Sequence, residues 1–280
     1  MRDPLRILSA APERPVTGAL RHGVSGVGVS TLASQWYCEL KVDLEFRHAG
    51  IAPVTPEMEE GTAGHRALSA GAVPMTREEL DDRILAGREV DLQESPFAAA
   101  IQEATVVGIP DLIRLRGRDA RLILEFKFSR HDELFMDRVV QAEAYALLLR
   151  QSGFATDGAV CVVAILPPTA AGTTGGSRID DLRRGGVLEK ILDRSEEMAE
   201  RLTRSSQSRF SLHSAEDSGM LHAFRFDPRA AQSRLGWALD YWKQRREAVA
   251  TRSASKCRVC PFNAARLCPR ARVAPRQEAS

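Results

Sequence analysis

A chain of 280 residues with 44% apolar content can bury a sizeable core, as one large domain or two small ones. No apolar stretch reaches the length of a membrane span and no basic segment followed by an apolar run opens the chain, which predicts a cytoplasmic protein without a membrane partner. The formal net charge of +2 is unevenly spread: from Arg225 to Arg276 thirteen Lys or Arg face only Asp227, Asp240 and Glu247, a local +10 that leaves about −8 for the rest, and such asymmetry fits either a polyanion-facing surface or a solvated basic face.

Residues 1–28 hold Pro4, Pro12 and Pro15 and end in G-V-S-G-V-G, which predicts an irregular leader ahead of a single domain over residues 29–280. Ser30 is placed to cap a helix from Thr31 to about His48, with Leu32, Trp36, Leu40 and Leu44 at helical spacing and Gly50 just past the end. Cys38 falls inside it, where a lone cysteine ordinarily packs in the core. A second helix has Thr55 as N-cap and Pro56 at its first position, and stops near Gly71. Gly61 and Gly64 within it each cost about 1 kcal/mol relative to alanine and need a reason, such as close approach of another backbone. His65 follows them; a single helical histidine is ordinarily a surface or satisfied core residue. Residues 73–105 form a polar, acid-rich segment whose role the sequence does not reveal.

Val106 to Ser129 carries two β-rich runs, V-V-G-I-P-D-L-I-R-L and A-R-L-I-L-E-F-K-F-S, separated by R-G-R-D, and predicts a β-hairpin. With Arg118 at the centre of a three-residue loop, Asp111 pairs directly across from Glu125. Alternation then sends Leu122, Leu124, Phe126 and Phe128 to one face and Ile123, Glu125 and Lys127 to the other. Two carboxylates and a lysine thereby share a face. Burying them is costly unless the charges are paired or bind a cation, and a hard divalent metal suits clustered carboxylate oxygens. A hairpin with solvated acids and Lys127 as their ion-pair partner fits the same residues.

After a polar break over 129–132, a helix runs from about Glu133 to Ser152, and Gln141 and Tyr145 share one of its faces. Gly158 to Leu166 is apolar and suits a buried strand, with Cys161 as packing. A Thr- and Gly-rich surface loop follows over 167–178, then an amphipathic helix from Val187 to about Arg204, a strand from Leu221 to Phe226 and a basic helix from Pro228 to about Arg252. Trp237 and Tyr241 share a face of that last helix and read most simply as core, although an aromatic beside a basic face can stack on a nucleobase.

In a reducing compartment, grouped cysteines are read as metal ligands before disulfides. The segment C-R-V-C-P-F-N-A-A-R-L-C places Cys257, Cys260 and Cys268 within twelve residues, and Cys38 remains as a fourth candidate once Cys161 is assigned to a strand. Four thiolates suit zinc or an iron–sulfur cluster, and spacing does not separate the two.

In chain order, G-T-A-G-H, I-P-D, E-F-K and Q-A-E-A-Y, with one cysteine upstream and three near the C-terminus, resemble the iron–sulfur-containing RecB-like nucleases of the PD-(D/E)xK superfamily. That group includes the exonuclease V family, the nuclease domain of the AddB helicase–nuclease subunit and the stand-alone nuclease of CRISPR adaptation modules. The resemblance runs from roughly Ser30 to Cys268; one departure is the seven residues between Cys260 and Cys268, wider than is usual in the group.

The resemblance implies an α/β fold with a restriction-endonuclease-like core, a central mixed sheet flanked by helices. It also implies a 4Fe-4S cluster on Cys38, Cys257, Cys260 and Cys268, clamping the first helix to the tail segment 253–270. Mg²⁺ or Mn²⁺ would be held by Asp111, Glu125, His65 and the backbone carbonyl of Phe126, the imidazole favouring Mn²⁺. Lys127 would orient the attacking water or neutralise charge developing on the phosphate, with Gln141 and Tyr145 lining the site. The implied activity is hydrolysis of DNA, as an exonuclease on single strands or overhangs, in repair, recombination or CRISPR adaptation. A helicase on a separate chain or a CRISPR integrase would be the partner, since no Walker A pattern supplies a motor here. The opposing reading is a zinc-stapled nucleic-acid-binding module, which has no need of His65, Asp111, Glu125 and Lys127.

Overall fold

The computed structural model describes residues 19–51, 56–69, 75–167, 186–213 and 219–274. Its strands, in chain order, are β1 (Val27–Gly28), β2 (Glu89–Gln93), β3 (Phe97–Ile101), β4 (Ala104–Gly108), β5 (Leu112–Arg116), β6 (Asp119–Phe128), β7 (Val160–Leu166), β8 (Arg209–His213) and β9 (Met220–Arg225). A six-stranded sheet has the order β2-β5-β6-β7-β9-β8, and a three-stranded one β1-β4-β3. Both are mixed: β6–β7 and β1–β4 are parallel, and the other pairs are antiparallel. The unbroken V-C-V-V-A-I-L run of β7 is buried at every position because the strand is central and covered on both faces.

The helices are α1 (Val29–Arg47), α2 (Pro56–Ser69), α3 (Arg77–Leu85), α4 (Met136–Gln151), α5 (Val187–Arg204) and α6 (Pro228–Trp242), followed by the short α7 (Ala254–Arg258) and α8 (Pro261–Ala264). α4 lies against β6 and β7 and is itself covered by α1 and α6, so its A-L-L-L stretch is apolar all round. α2 packs on β6, and α5 on β6, β7 and β9. Alternation along β6 feeds the two sides: Ile123 joins the core under α4, while Leu122, Leu124 and Phe126, with Phe128 beside them, pack with Ile191 and Met198 of α5. The chain is thus a mixed α/β protein with sheets flanked by helices.

Several elements depart from expectation for identifiable reasons. Within the stretch expected as an irregular leader, residues 19–28 are built into the fold: Leu20 is buried, Arg21 donates to the carbonyls of Tyr241 and Arg246, and β1 pairs with β4. Gly28 occupies the N-cap of α1, and Ser30 lies inside the first turn. The segment 73–105 contains α3, opened by a reciprocal capping box between Thr76 and Glu79, strands β2 and β3, and the first two residues of β4.

The first arm of the expected hairpin is divided. Val106 and Val107 pair in the small sheet, Pro110 has no amide hydrogen to continue a ladder, and only Leu112–Arg116 pair with β6. The turn is the two-residue Gly117-Arg118, with Gly117 at φ +57, where three residues were expected. A bulge at Arg121 restores the pairing Leu112↔Leu124, so Asp111 still falls opposite Glu125. The basic helix expected to reach Arg252 ends at Trp242; Gln244 turns left-handed at φ +58, and the chain runs back along α1. Thr55 and the 167–178 loop, apart from Pro167, lie outside the described residues.

Candidate active site

Pro110 follows the end of β4 and Asp111 stands just before β5 of the six-stranded sheet. Asp111 Oδ2 accepts from the backbone N–H of Phe126 at 2.6 Å, tying the start of β5 to β6, and Oδ1 lies 3.1 Å from His65 Nδ1. α2 carries His65 to this point, its ring meeting Phe128 edge-on with centroids 5.5 Å apart. That contact explains Gly64: a Cβ there would sit 2.2 Å from the Phe128 ring, so the close neighbour is a side chain, where a backbone was anticipated. A Cβ on Gly61 would meet nothing within 4 Å.

Glu125 is 1% exposed. Its Oε1 accepts from Lys127 Nζ at 2.7 Å and from Gln141 Nε2 at 2.6 Å, and Lys127 also donates to Gln141 Oε1 at 2.8 Å. Gln141 Nε2 reaches the Tyr145 hydroxyl at 3.2 Å. The E-x-K strand and the Q-x-x-x-Y helix therefore meet through one hydrogen-bonded network. The other carboxylate oxygen, Glu125 Oε2, is enclosed and has no hydrogen-bond partner. An orphaned buried acceptor costs about 1–3 kcal/mol, and more when charged, unless a donor or cation reaches it.

The electrostatics follow from this packing. Burial first and the charge of Asp111 second push the Glu125 carboxyl above its ordinary range, against the pull of Lys127 and His65. Burial opposes the charge on Lys127, but Glu125 outweighs it and holds the ammonium above its usual value. His65 behaves alike: burial lowers it, and the hydrogen bond and charge of Asp111 raise it further than burial lowers it. Burial chiefly, with Glu125 next, raises the Tyr145 phenol, so it keeps its proton. The residues fit a divalent cation in donor type, since Asp111, Glu125 and the Phe126 carbonyl are hard oxygens with one imidazole beside them. His65, Asp111 and Phe126 line one small pocket together with Gln93, the last residue of β2, and Glu94 just past it, two residues no motif had singled out.

The cysteines fall in two places. Cys161 is fully buried in β7, and its thiol is pushed well up by burial. Cys38, Cys257, Cys260 and Cys268 line a single small pocket at the meeting of α1 with the tail. α7 presents Cys257, Cys260 stands at the N-cap of α8, and Phe262 anchors the loop on Leu40 and Leu44. Cys38 Sγ accepts from the Thr251 N–H at 3.4 Å. Among the described residues no group of three or more His, Cys, Asp or Glu is drawn together closely enough to hold a metal ion, so the sulfurs share a pocket without forming a closed ligand set.

Trp237 and Tyr241, considered for base stacking, are engaged inside the protein. Tyr241 is fully buried and donates to Asp43, while Trp237 packs on Trp36 and carries the Arg246 guanidinium on its ring. No helix is long and apolar enough to cross a membrane among the described residues.

No family model and no curated protein matches the chain. Among solved structures, the one titled "Crystal structure of SSO0001" is similar at 13% identity over 89% of this chain and 88% of that chain, with a TM-score of 0.49. A likeness that distant carries no argument about function.

Proposed function

We propose that this chain is a metal-dependent phosphodiesterase of the PD-(D/E)xK type, an exonuclease on single-stranded DNA or overhangs. The observation that carries the reading is the pairing of Asp111 with a buried Glu125 whose Oε2 has no partner, next to a lysine held in place from two sides. Asp111, Glu125, His65 and the Phe126 carbonyl would hold Mg²⁺ or Mn²⁺, which supplies Lewis acidity toward a phosphoryl oxygen when bound. The ammonium of Lys127 is anchored on Glu125 and Gln141, beside the carboxylates. From there it neutralises charge developing on the phosphate. Gln141 fixes both Glu125 and Lys127, and the protonated Tyr145 hydroxyl steadies Gln141.

The four cysteines around one pocket support a 4Fe-4S cluster, with zinc as the alternative. Its role would be structural, joining α1 to residues 253–270 across more than two hundred residues. DNA repair, recombination and CRISPR adaptation are the settings such an enzyme would serve, with a helicase or integrase on a separate chain.

The test is cleavage of end-labelled single-stranded DNA with Mn²⁺, Mg²⁺ or EDTA, comparing wild type with Glu125→Ala. Metal-dependent cleavage that the substitution abolishes is expected. Equal cleavage by both proteins, or none by a folded wild type, would sink the reading.

A further inference from the structure

We infer that Gln93 is a further positioning residue of this site, an oxygen donor to the cation held at Asp111, reached directly or through one water; the inference rests on the proposed metal-dependent site. β2 pairs with β5 as far as Gln93↔Leu112, and one residue further the Glu94 N–H donates to the Asp111 carbonyl at 3.2 Å. The backbone of Asp111 is thus held from β2 while its side chain is held from β6. Glu94 achieves this at φ +43, a left-handed conformation that a non-glycine residue adopts at a cost. The turn leaves Gln93 lining the same cavity as His65, Asp111 and Phe126.

Gln93 Oε1 is enclosed and makes no hydrogen bond. Among the described residues four buried side-chain atoms share that condition: Trp36 Nε1, Ser195 Oγ, Glu125 Oε2 and Gln93 Oε1. The indole is a pure donor and the hydroxyl can donate or accept, which leaves two oxygens that can only accept. One belongs to β2 and the other to β6, the strands on either side of β5, at whose start Asp111 stands. Glu125 is enclosed on the α4 side of the sheet, whereas Gln93, paired with Leu112, lies on the opposite face and lines the pocket that holds Asp111 and His65. An unpaired acceptor there is a liability in an empty fold and a donor in a cation site.

The decisive variants are Gln93→Met, which keeps the side chain's length and removes the oxygen, and Gln93→Glu, which keeps an oxygen and adds charge. Mn²⁺ binding to the full chain is followed by the electron paramagnetic resonance of free Mn²⁺, and thermal unfolding is recorded in EDTA. Gln93→Met should raise the unfolding temperature in EDTA by about 2–4 °C, because an orphaned acceptor is gone, and weaken Mn²⁺ binding by about tenfold. Gln93→Glu should restore binding at the wild-type level or tighter, with a lower unfolding temperature in EDTA. A Gln93→Met protein that binds Mn²⁺ like wild type, or unfolds at a lower temperature in EDTA, overturns the inference. If wild type binds Mn²⁺, Glu125→Ala weakens it and Gln93→Met does not, the site reading stands and this inference alone falls. A wild type that binds no Mn²⁺ overturns both.

Discussion

Gly61 and Gly64 lie three residues apart on α2, yet only one of them has a close neighbour. A Cβ on Gly64 would be driven into the Phe128 ring at 2.2 Å, whereas one on Gly61 would enter open space. Gly64→Ala should therefore destabilise by about 1–3 kcal/mol through overpacking and displace the helix that carries His65. Gly61→Ala should stabilise by up to about 1 kcal/mol through helix propensity alone. Urea unfolding of both variants checks the pair, and Phe128→Leu should recover much of the loss in the Gly64→Ala background. Equal effects at the two glycines would show that the ring contact is not what requires Gly64. The sequence marks both glycines as needing a cause, but the partner of Gly64, Phe128, lies 64 positions on in another element, and spacing carries no information about it. The pairing of Asp111 with Glu125 was legible from spacing, but for a compensated reason: the turn is one residue shorter than expected, and a bulge at Arg121, which alternation does not reveal, restores the register. Gln93 was not legible, since its relation to Asp111 arises from a third strand.

At the scale of elements, the break in α1 at Cys38 organises the cysteine side of the molecule. Cys38 takes an extended backbone, φ −167 and ψ 105, and the chain's return from α6 is bonded into the gap. Leu40 N–H donates to the Val249 carbonyl, and Cys38 Sγ receives N–H groups from Thr251 and Lys41. Burial raises the Cys38 thiol, and these two donors work against that rise. Glu39, 1% exposed, holds the arrangement by accepting from both Arg246 terminal nitrogens and from Val249 N–H. Capture of Arg246 by Glu39 is also why α6 does not continue to Arg252, although Lys243 to Glu247 has helix-forming composition; the sequence cannot show a cost imposed by a distant partner. Glu39→Ala leaves a partly buried guanidinium without its carboxylate and the Val249 amide unpaired, and should cost about 2–4 kcal/mol in urea unfolding. The double variant Glu39→Leu with Arg246→Met should cost less than Glu39→Ala alone. A double variant no more stable than the single one would mean that packing, not charge pairing, closes this joint. By contrast, α3 was legible in principle from its T-x-x-E capping box and was masked by the acid-rich composition around it.

At the scale of the whole molecule, the field of one carboxylate reaches both candidate centres. Asp137 at the start of α4 acts electrostatically on Lys127 and on Tyr37, and Tyr37 lines the cysteine pocket. The excess of basic charge at the C-terminal end was legible from composition, but its use was not. Arg225 donates to the carbonyls of Leu202 and Ser205, Arg234 pairs with Glu143, Arg245 with Glu103 and Arg246 with Glu39, so much of that charge holds the fold together. Arg252, Arg258, Arg266, Arg270 and Arg272 are exposed around the cysteine loop, and none forms an ion pair with a described residue. If these five follow the backbone of a single strand, the slope of log affinity against log salt should be about −3.5, at roughly −0.7 for each phosphate neutralised. Arg258→Gln should then reduce the slope's magnitude by about 0.7, while Arg234→Gln should leave the slope unchanged despite removing the same charge. Fluorescence anisotropy of a labelled oligonucleotide over a salt series, on the full chain in EDTA, separates the two. A slope that Arg258→Gln does not alter would place the phosphate contacts elsewhere, and the basic tail would then be a solvated face whose arginines keep the cysteine loop soluble.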